Sequence, residues 1–358
     1  MEDLGLRFMS VIGLFSMVLI AYIFSANRKA INWRTVVSGV LIQIVLGLII
    51  LKVPIGKEIF DGARQLFTGI LDYTTEGSKF VFGGLTDAGK VGFVFATMVL
   101  PTIIFMSSLM SVLYHLGLMQ IIINFVAKIM VKVMGTSGAE SLSCAANIFA
   151  GQTEAPLVVK PFIGKMTKSE LLAMMTGGMA TVAGGVLAAY VGFGINAGHL
   201  LAASVMAAPA ALVLAKIFIP EEEVSETAGY VKLKLEKTHS NIIEAAAAGA
   251  GEGLQLALNV GAMLLAFIAL IAMFNGMLGW ATGLVGLEGI TLERLSGWCF
   301  APIAFLIGIP WDDCVNFGTL LGKKIIINEF VAYLDLKSMI EAKSMSPRAI
   351  TMATYALC

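Results

Sequence analysis

The chemically loaded part of the chain is the run Asn147-Ile148-Phe149-Ala150-Gly151-Gln152-Thr153-Glu154-Ala155-Pro156. It places an amide, a hydroxyl and a carboxylate side by side, between two backbone breakers, inside otherwise apolar sequence. A carboxylate at membrane depth costs about 2.5–3.5 kcal/mol to insert, so it marks a functional site unless the run is a surface turn between two ordinary helices. A second carboxylate, Glu329, follows Ile325-Ile326-Ile327 in Asn328-Glu329-Phe330-Val331-Ala332-Tyr333, either as a site or as a solvated helix end. An intramembrane enzyme using Glu154 and Glu329 as acid and base would need a nucleophile–base pair or a metal cluster beside them, and the sequence offers neither.

The elements around these residues are those of a polytopic membrane protein. The chain is 58% hydrophobic and 13% charged, against about 25% charged in soluble domains, and its mean hydropathy is +0.88. Lys plus Arg and Asp plus Glu both number 24, which points to no nucleic-acid partner and leaves the lipid bilayer as the expected one. Four scattered cysteines and three isolated histidines argue against a disulfide framework or a zinc site. The acidic opening Met1-Glu2-Asp3, with no cleavage signature after the first apolar run, makes that run a retained span.

Residues 8–27 are uncharged and long enough to cross the hydrocarbon core. The basic segment Asn27 to Arg34 is cytoplasmic by the positive-inside rule, so the N-terminus lies outside. A second span runs from Thr35 to Leu51, residues 52–90 form an amphipathic interfacial helix, and a third span, Val91 to Leu116, is expected to kink at Pro101. Ile121 to Val133 puts Lys128 and Lys132 on one face. These lysines, with Lys160, Lys165 and Lys168, place both ends of segment 140–160 inside, making it a re-entrant hairpin. Such backbone is tolerated only where protein or a water-filled cavity surrounds it.

Ser169 to Phe193 contains Thr176-Gly177-Gly178, Thr181 and Gly184-Gly185; the glycine pairs permit either close helix packing or an unwound segment. His199 to Phe218 crosses back. Residues 220–241, with Glu221-Glu222-Glu223 and Lys232, Lys234 and Lys237, are an exposed linker. Leu254 to Leu284 is a long apolar helix with Gln255 and Asn259 one turn apart. Residues 295–330 form a second re-entrant element, its first arm ending in Pro310-Trp311-Asp312-Asp313, and Arg348 to Cys358 is too short to cross. Two broken hairpins, each with a carboxylate, indicate an internal repeat of the kind that frames a transporter binding site.

Gly151-Gln152-Thr153-Glu154-Ala155-Pro156-Leu157 resembles the signature of the concentrative nucleoside transporters, which include bacterial sodium-coupled nucleoside permeases. Asn27 to Ile31, Val99 to Thr102, Ser204 to Pro209, Gln255 to Leu264 and Asn328 to Tyr333 extend the likeness over nearly the whole chain. The resemblance implies an all-α fold: scaffold helices plus a transport subdomain with two opposed re-entrant hairpins and unwound helices, arranged as an inverted repeat. On this pattern residues 1–135 are scaffold, 136–219 the first transport repeat, 220–241 the linker, 242–290 a long scaffold span and 291–358 the second hairpin with the start of the next span. Relatives continue past the equivalent of Tyr355-Ala356-Leu357-Cys358, so the C-terminal part of the second repeat, with its ribose-binding Asn and Ser, is expected to be missing.

The resemblance further implies a homotrimer in the cell inner membrane that imports a uridine-like nucleoside by sodium symport, through an alternating-access, elevator-like movement. Gln152, Thr153, Glu154, Val186 and Leu256 are the implied contacts to the base, and Glu329 the acceptor for the ribose hydroxyls. The sodium site is implied to use the Asn147 and Thr181 side chains and the carbonyls of Ala150 and Val182. Gln and Thr match the mixed donor–acceptor edge of a base, and a carboxylate accepts both hydroxyls of a vicinal diol in charge-assisted bonds. A proton-coupled permease, with Glu154 as the carrier, and a non-transporting nucleoside-binding protein are the alternatives.

Overall fold

A hydrocarbon environment offers backbone amides no partner but each other, so apolar runs of this length become helices. The computed structural model describes residues 2–152, 154–229, 239–284, 286 and 289–358; Thr153, Lys232, Lys234 and Lys237 lie outside the described residues. In chain order α1 (Glu2–Ile23), α2 (Trp33–Leu51) and α3 (Pro54–Phe82) are followed by the single turns α4 (Ala88–Val91) and α5 (Phe95–Met98), then α6 (Leu100–His115) and α7 (Leu118–Met134). Next come α8 (Gly138–Asn147), the turn α9 (Ala155–Val158), α10 (Lys168–Met179), α11 (Gly184–Gly192) and α12 (Ala197–Phe218). The chain continues through α13 (Ile242–Gly283), α14 (Leu292–Leu306), α15 (Cys314–Ile326), α16 (Glu329–Glu341) and α17 (Pro347–Ala356). Among the described residues no strand forms. Six stretches of them are long and apolar enough to cross a membrane: Leu4–Ile23, Trp33–Ile50, Phe95–His115, Lys168–Gly192, Ala197–Phe218 and Ile242–Gly283.

Two apolar stretches are interrupted. Within Phe95–His115 the helix breaks at Val99, two residues before Pro101, as a proline inside a span leads one to expect, and Pro101 sits in the first turn of α6. The glycine-rich span after Lys168 is also not one rod. It stops at Met179 and restarts at Gly184, so the glycines there serve an unwound segment. The pair α14–α15 turns at Pro310–Asp313, and the break that carries Glu329 comes after the second arm, at Ile327–Asn328.

The chain forms two compact units that do not follow its order: Met1–Leu19, Tyr190–His199 and Leu258–Cys358 make the first, and Ile20–Ala189 and Leu200–Ala257 the second. In the first unit α14 and α15 meet at backbone distance, since a Cβ on Gly318 would stand 2.5 Å from the Gly297 carbonyl. Arg348 donates to the carbonyls of Gly308 (3.0 Å) and Leu6 (3.2 Å) and to the Ser10 hydroxyl (2.9 Å), fastening α1 and the start of α17 to the α14–α15 connection. Beside it Asp313 accepts from the Ser346 hydroxyl (2.5 Å) and backbone N–H (3.2 Å).

In the second unit, α8 and α10 each begin with a capping box, Ser137 with Glu140 and Thr167 with Glu170. Both carboxylates are buried, and so is Lys216 on α12. Its ammonium pairs with Glu140 at 2.7 Å and Glu221 at 3.1 Å and donates to the Ser169 hydroxyl at 2.9 Å. Glu170 accepts from the hydroxyls of Ser225 (2.5 Å) and Thr227 (2.9 Å). Removing one member of a buried pair strands the other charge. Lys216→Met is therefore expected to cost about 3–5 kcal/mol, seen as a lower thermal unfolding midpoint of the purified protein in detergent. Adding Glu140→Gln should restore part of the loss; no restoration would mean that the pair is not the cause.

Candidate functional site

α8 is buried along its whole length and ends at Asn147; the chain then leaves helical geometry until Ala155, where Pro156 starts the next turn. Asn147 is completely buried, and neither its amide oxygen nor its amide nitrogen has a hydrogen-bond partner. An unpaired buried polar group costs about 1–3 kcal/mol, and Asn147 carries two. At the tip Glu154 folds back, its carboxylate accepting from the Gly151 N–H at 2.9 Å, while Gln152 and Glu154 are both exposed.

The second break, Ala180 to Ala183 between α10 and α11, runs directly against the first. Gly184 N–H donates to the Phe149 carbonyl at 3.0 Å, so each break satisfies part of the other's backbone. The approach depends on small residues. A Cβ on Gly177 would lie 3.2 Å from the Asn147 amide nitrogen, one on Gly178 3.2 Å from Cβ of Gln152, and one on Gly151 3.1 Å from Cβ of Ala183. Thr181 donates its hydroxyl proton to the Gly177 carbonyl at 2.9 Å, which leaves its oxygen lone pairs open. Ala150 and Val182, both buried, supply the backbone of the two breaks. Among the described residues no group of three His, Cys, Asp or Glu gathers. The side-chain and backbone oxygens of Asn147, Thr181, Ala150 and Val182 are neutral, a set that suits a small hard cation.

Of the residues singled out by sequence, Asn147, Ala150, Gln152, Thr181 and Val182 come together at this crossing. Val186 is buried on α11 and Leu256 half-buried on α13. Thr153 lies outside the described residues. Glu329 belongs to the first unit, where it is half-buried and opens α16; Asn328 caps that helix, accepting from the Val331 N–H at 3.1 Å. Sequence reasoning did not single out Phe149, Gly151, Ala183 or Gly184 as the residues that join the two breaks. Their signal was the paired glycines at 177–178 and 184–185.

Apolar helices broken at polar, oxygen-bearing points define a membrane transporter of the broken-helix class. Three family models cover the chain: "Na+ dependent nucleoside transporter N-terminus" over residues 12–85, "Nucleoside recognition" over 96–197 and "Na+ dependent nucleoside transporter C-terminus" over 199–358. The uncharacterized transporter YutK of Bacillus subtilis is 46% identical over 349 residues, 97% of this chain and 86% of that protein. The nucleoside permease NupC of Helicobacter pylori is 45% identical over 357 residues, 98% of this chain and 85% of that one. Human sodium/nucleoside cotransporter 1 is 41% identical over 95% of this chain and 54% of its own length. The structure of CNTnw in an inward-facing substrate-bound state superposes with a TM-score of 0.93 at 44% identity, covering 99% of this chain and 85% of that one. The chain belongs to the Na+ dependent nucleoside transporter family. It is a membrane transport protein and not an enzyme.

Because Cα and Cβ of Gln152 lie within 3.3 Å of where a Gly178 side chain would start, Gly178→Val is expected to displace the tip. Nucleoside uptake by the reconstituted protein should fall to background. Gly164→Ala, at a position with open space around it, should leave uptake unchanged.

Proposed function

We propose that the chain imports nucleosides across the bacterial inner membrane by sodium symport. The observation that carries this reading is the orphaned, fully buried Asn147 amide at the crossing of two broken helices, against Gly177, whose carbonyl Thr181 bonds. Sodium binds there to the Asn147 and Thr181 oxygens and to the carbonyls of Ala150 and Val182, and its binding orders the tip that follows. Gln152, Thr153 and Glu154, with Val186 and Leu256 as apolar walls, read the base of a uridine-like substrate. Glu329 accepts the ribose hydroxyls.

Residues 136–219 and 291–358 then move as transport elements against scaffold segments 1–135 and 242–290, with 220–241 as linker, in an elevator-like step within a homotrimer. The N-terminus lies outside, as the basic segment Arg28 to Arg34 requires. One sodium entering down 100 mV supplies about 2.3 kcal/mol, enough for about fifty-fold accumulation.

The test is uridine uptake into proteoliposomes with and without an inward sodium gradient. Wild type should accumulate uridine only with the gradient. Asn147→Ala should lose the sodium dependence, and Glu154→Gln and Glu329→Gln should each lower uptake at least ten-fold. Full uptake in sodium-free buffer, or unimpaired uptake by both carboxamide variants, would overturn the coupling or the site assignment respectively.

A further inference from the structure

The first unit contains a polar atom that this reading leaves idle, the hydroxyl of Tyr190. Tyr190 is completely buried near the end of α11, and its hydroxyl has no hydrogen-bond partner. Its ring is fixed from two sides by α16: it stacks on Tyr333 with centroids 4.1 Å apart and an interplanar angle of 29°, and meets Phe330 edge-on at 5.0 Å and 69°. The Tyr333 hydroxyl is engaged elsewhere, donating to the Thr354 carbonyl at 2.8 Å. Glu329 stands just before Phe330 and one helical turn from Tyr333, on the face of α16 that carries the Tyr190 ring, and its carboxylate couples to the Tyr190 hydroxyl. Two rings thus set the plane of a phenol beside the acidic group that opens α16, and among the described residues no other acceptor takes its proton.

A buried donor without a partner is unfavourable and uncommon. A carboxylate that must receive two hydroxyls of a sugar has the complementary deficiency. It carries several lone pairs on a flexible stem. A phenol donating to one carboxylate edge leaves the remaining lone pairs for the diol.

We propose that Tyr190 is a positioning residue of the substrate site: its hydroxyl donates to Glu329 and holds that carboxylate in one rotamer for the vicinal diol of the nucleoside sugar. The proposal rests on the reading of Glu329 as the ribose acceptor. It assigns Tyr190 a share in discriminating ribonucleosides from their dideoxy analogues, acting through Glu329 and without touching substrate.

The experiment measures binding of uridine and of 2′,3′-dideoxyuridine, the latter by competition, to the purified full chain and to Tyr190→Phe, Glu329→Gln, the double variant and Tyr333→Phe. Tyr190→Phe keeps the ring stack. It should weaken uridine about ten-fold, the scale of a hydrogen bond to a charged group, and leave dideoxyuridine within about two-fold. The same substitution on Glu329→Gln should change neither ligand further. Tyr333→Phe should lower the unfolding midpoint while preserving the uridine-to-dideoxyuridine ratio. That ratio does not depend on the folded fraction, so loss of fold cannot imitate the effect. Unchanged uridine binding in Glu329→Gln would overturn the ribose reading and this proposal together. If Glu329→Gln weakens uridine but Tyr190→Phe does not, or weakens both ligands equally, or adds fully to Glu329→Gln, the role of Tyr190 alone is overturned.

Discussion

The organising constraint is the cost of interrupting a helix among apolar residues. Each break strands peptide groups that no water reaches, and each must find a partner within the protein or keep a vacancy for a ligand. The breaks after Asn147 and after Met179 meet this by leaning on each other, through the bond from Gly184 N–H to the Phe149 carbonyl, and the first also from within, through Glu154 folding onto Gly151 N–H. Those exchanges leave the amide of Asn147 uncompensated at both of its polar atoms. The helix break is thus also what creates the candidate ion site, because only an unwound backbone presents carbonyls sideways. Glycines 177 and 178 are the condition for the two breaks to approach at all.

A break also loosens the helix that runs into it, and each unit fixes that helix at its far end. In the second unit the base of α8 and the base of α10 are joined through Glu140, Glu170, Lys216 and the Ser225–Thr227 loop. In the first, Asp313 at the base of α15 holds Ser346 at the base of α17, and Arg348 adds the α14–α15 connection and α1. The chemistry differs, a buried ion cluster in one and hydrogen bonds to an N-cap in the other, but the mechanical result is alike. A tip free to rearrange around a ligand stands on a base that is not.

Much of this was legible in the sequence. Composition alone gave a membrane protein, uncharged runs located five of the six spans to within a few residues while the last starts at Ile242, twelve residues before the expected Leu254, and the Gly151–Pro156 run marked the first break. The signals that failed were those with two physical meanings. Paired glycines mean close packing or unwinding, and at 177–178 and 184–185 they mean both. Lys216 was invisible as a lone lysine at the end of an apolar helix. The Ser137–Glu140 and Thr167–Glu170 spacings that could have announced its partners are short, and read first as surface caps. Tyr190 had no signal at all, since its neighbours on α16 are some 140 residues away.

The longest helix carries a further consequence. α13 has 42 residues, about 63 Å at 1.5 Å per residue, against a hydrocarbon thickness of about 30 Å and a whole bilayer of about 40–45 Å. It cannot stand upright without projecting well into water at one or both ends, and Glu244 and Glu252 near its start and Trp280 near its finish, all exposed, are suited to such margins. A rod so oversized accommodates a thicker or thinner membrane by changing its lean and not by stripping apolar surface. Hydrophobic mismatch would therefore reach this protein as a rotation of its longest member, which makes lipid chain length a mechanical input to whatever packs along it.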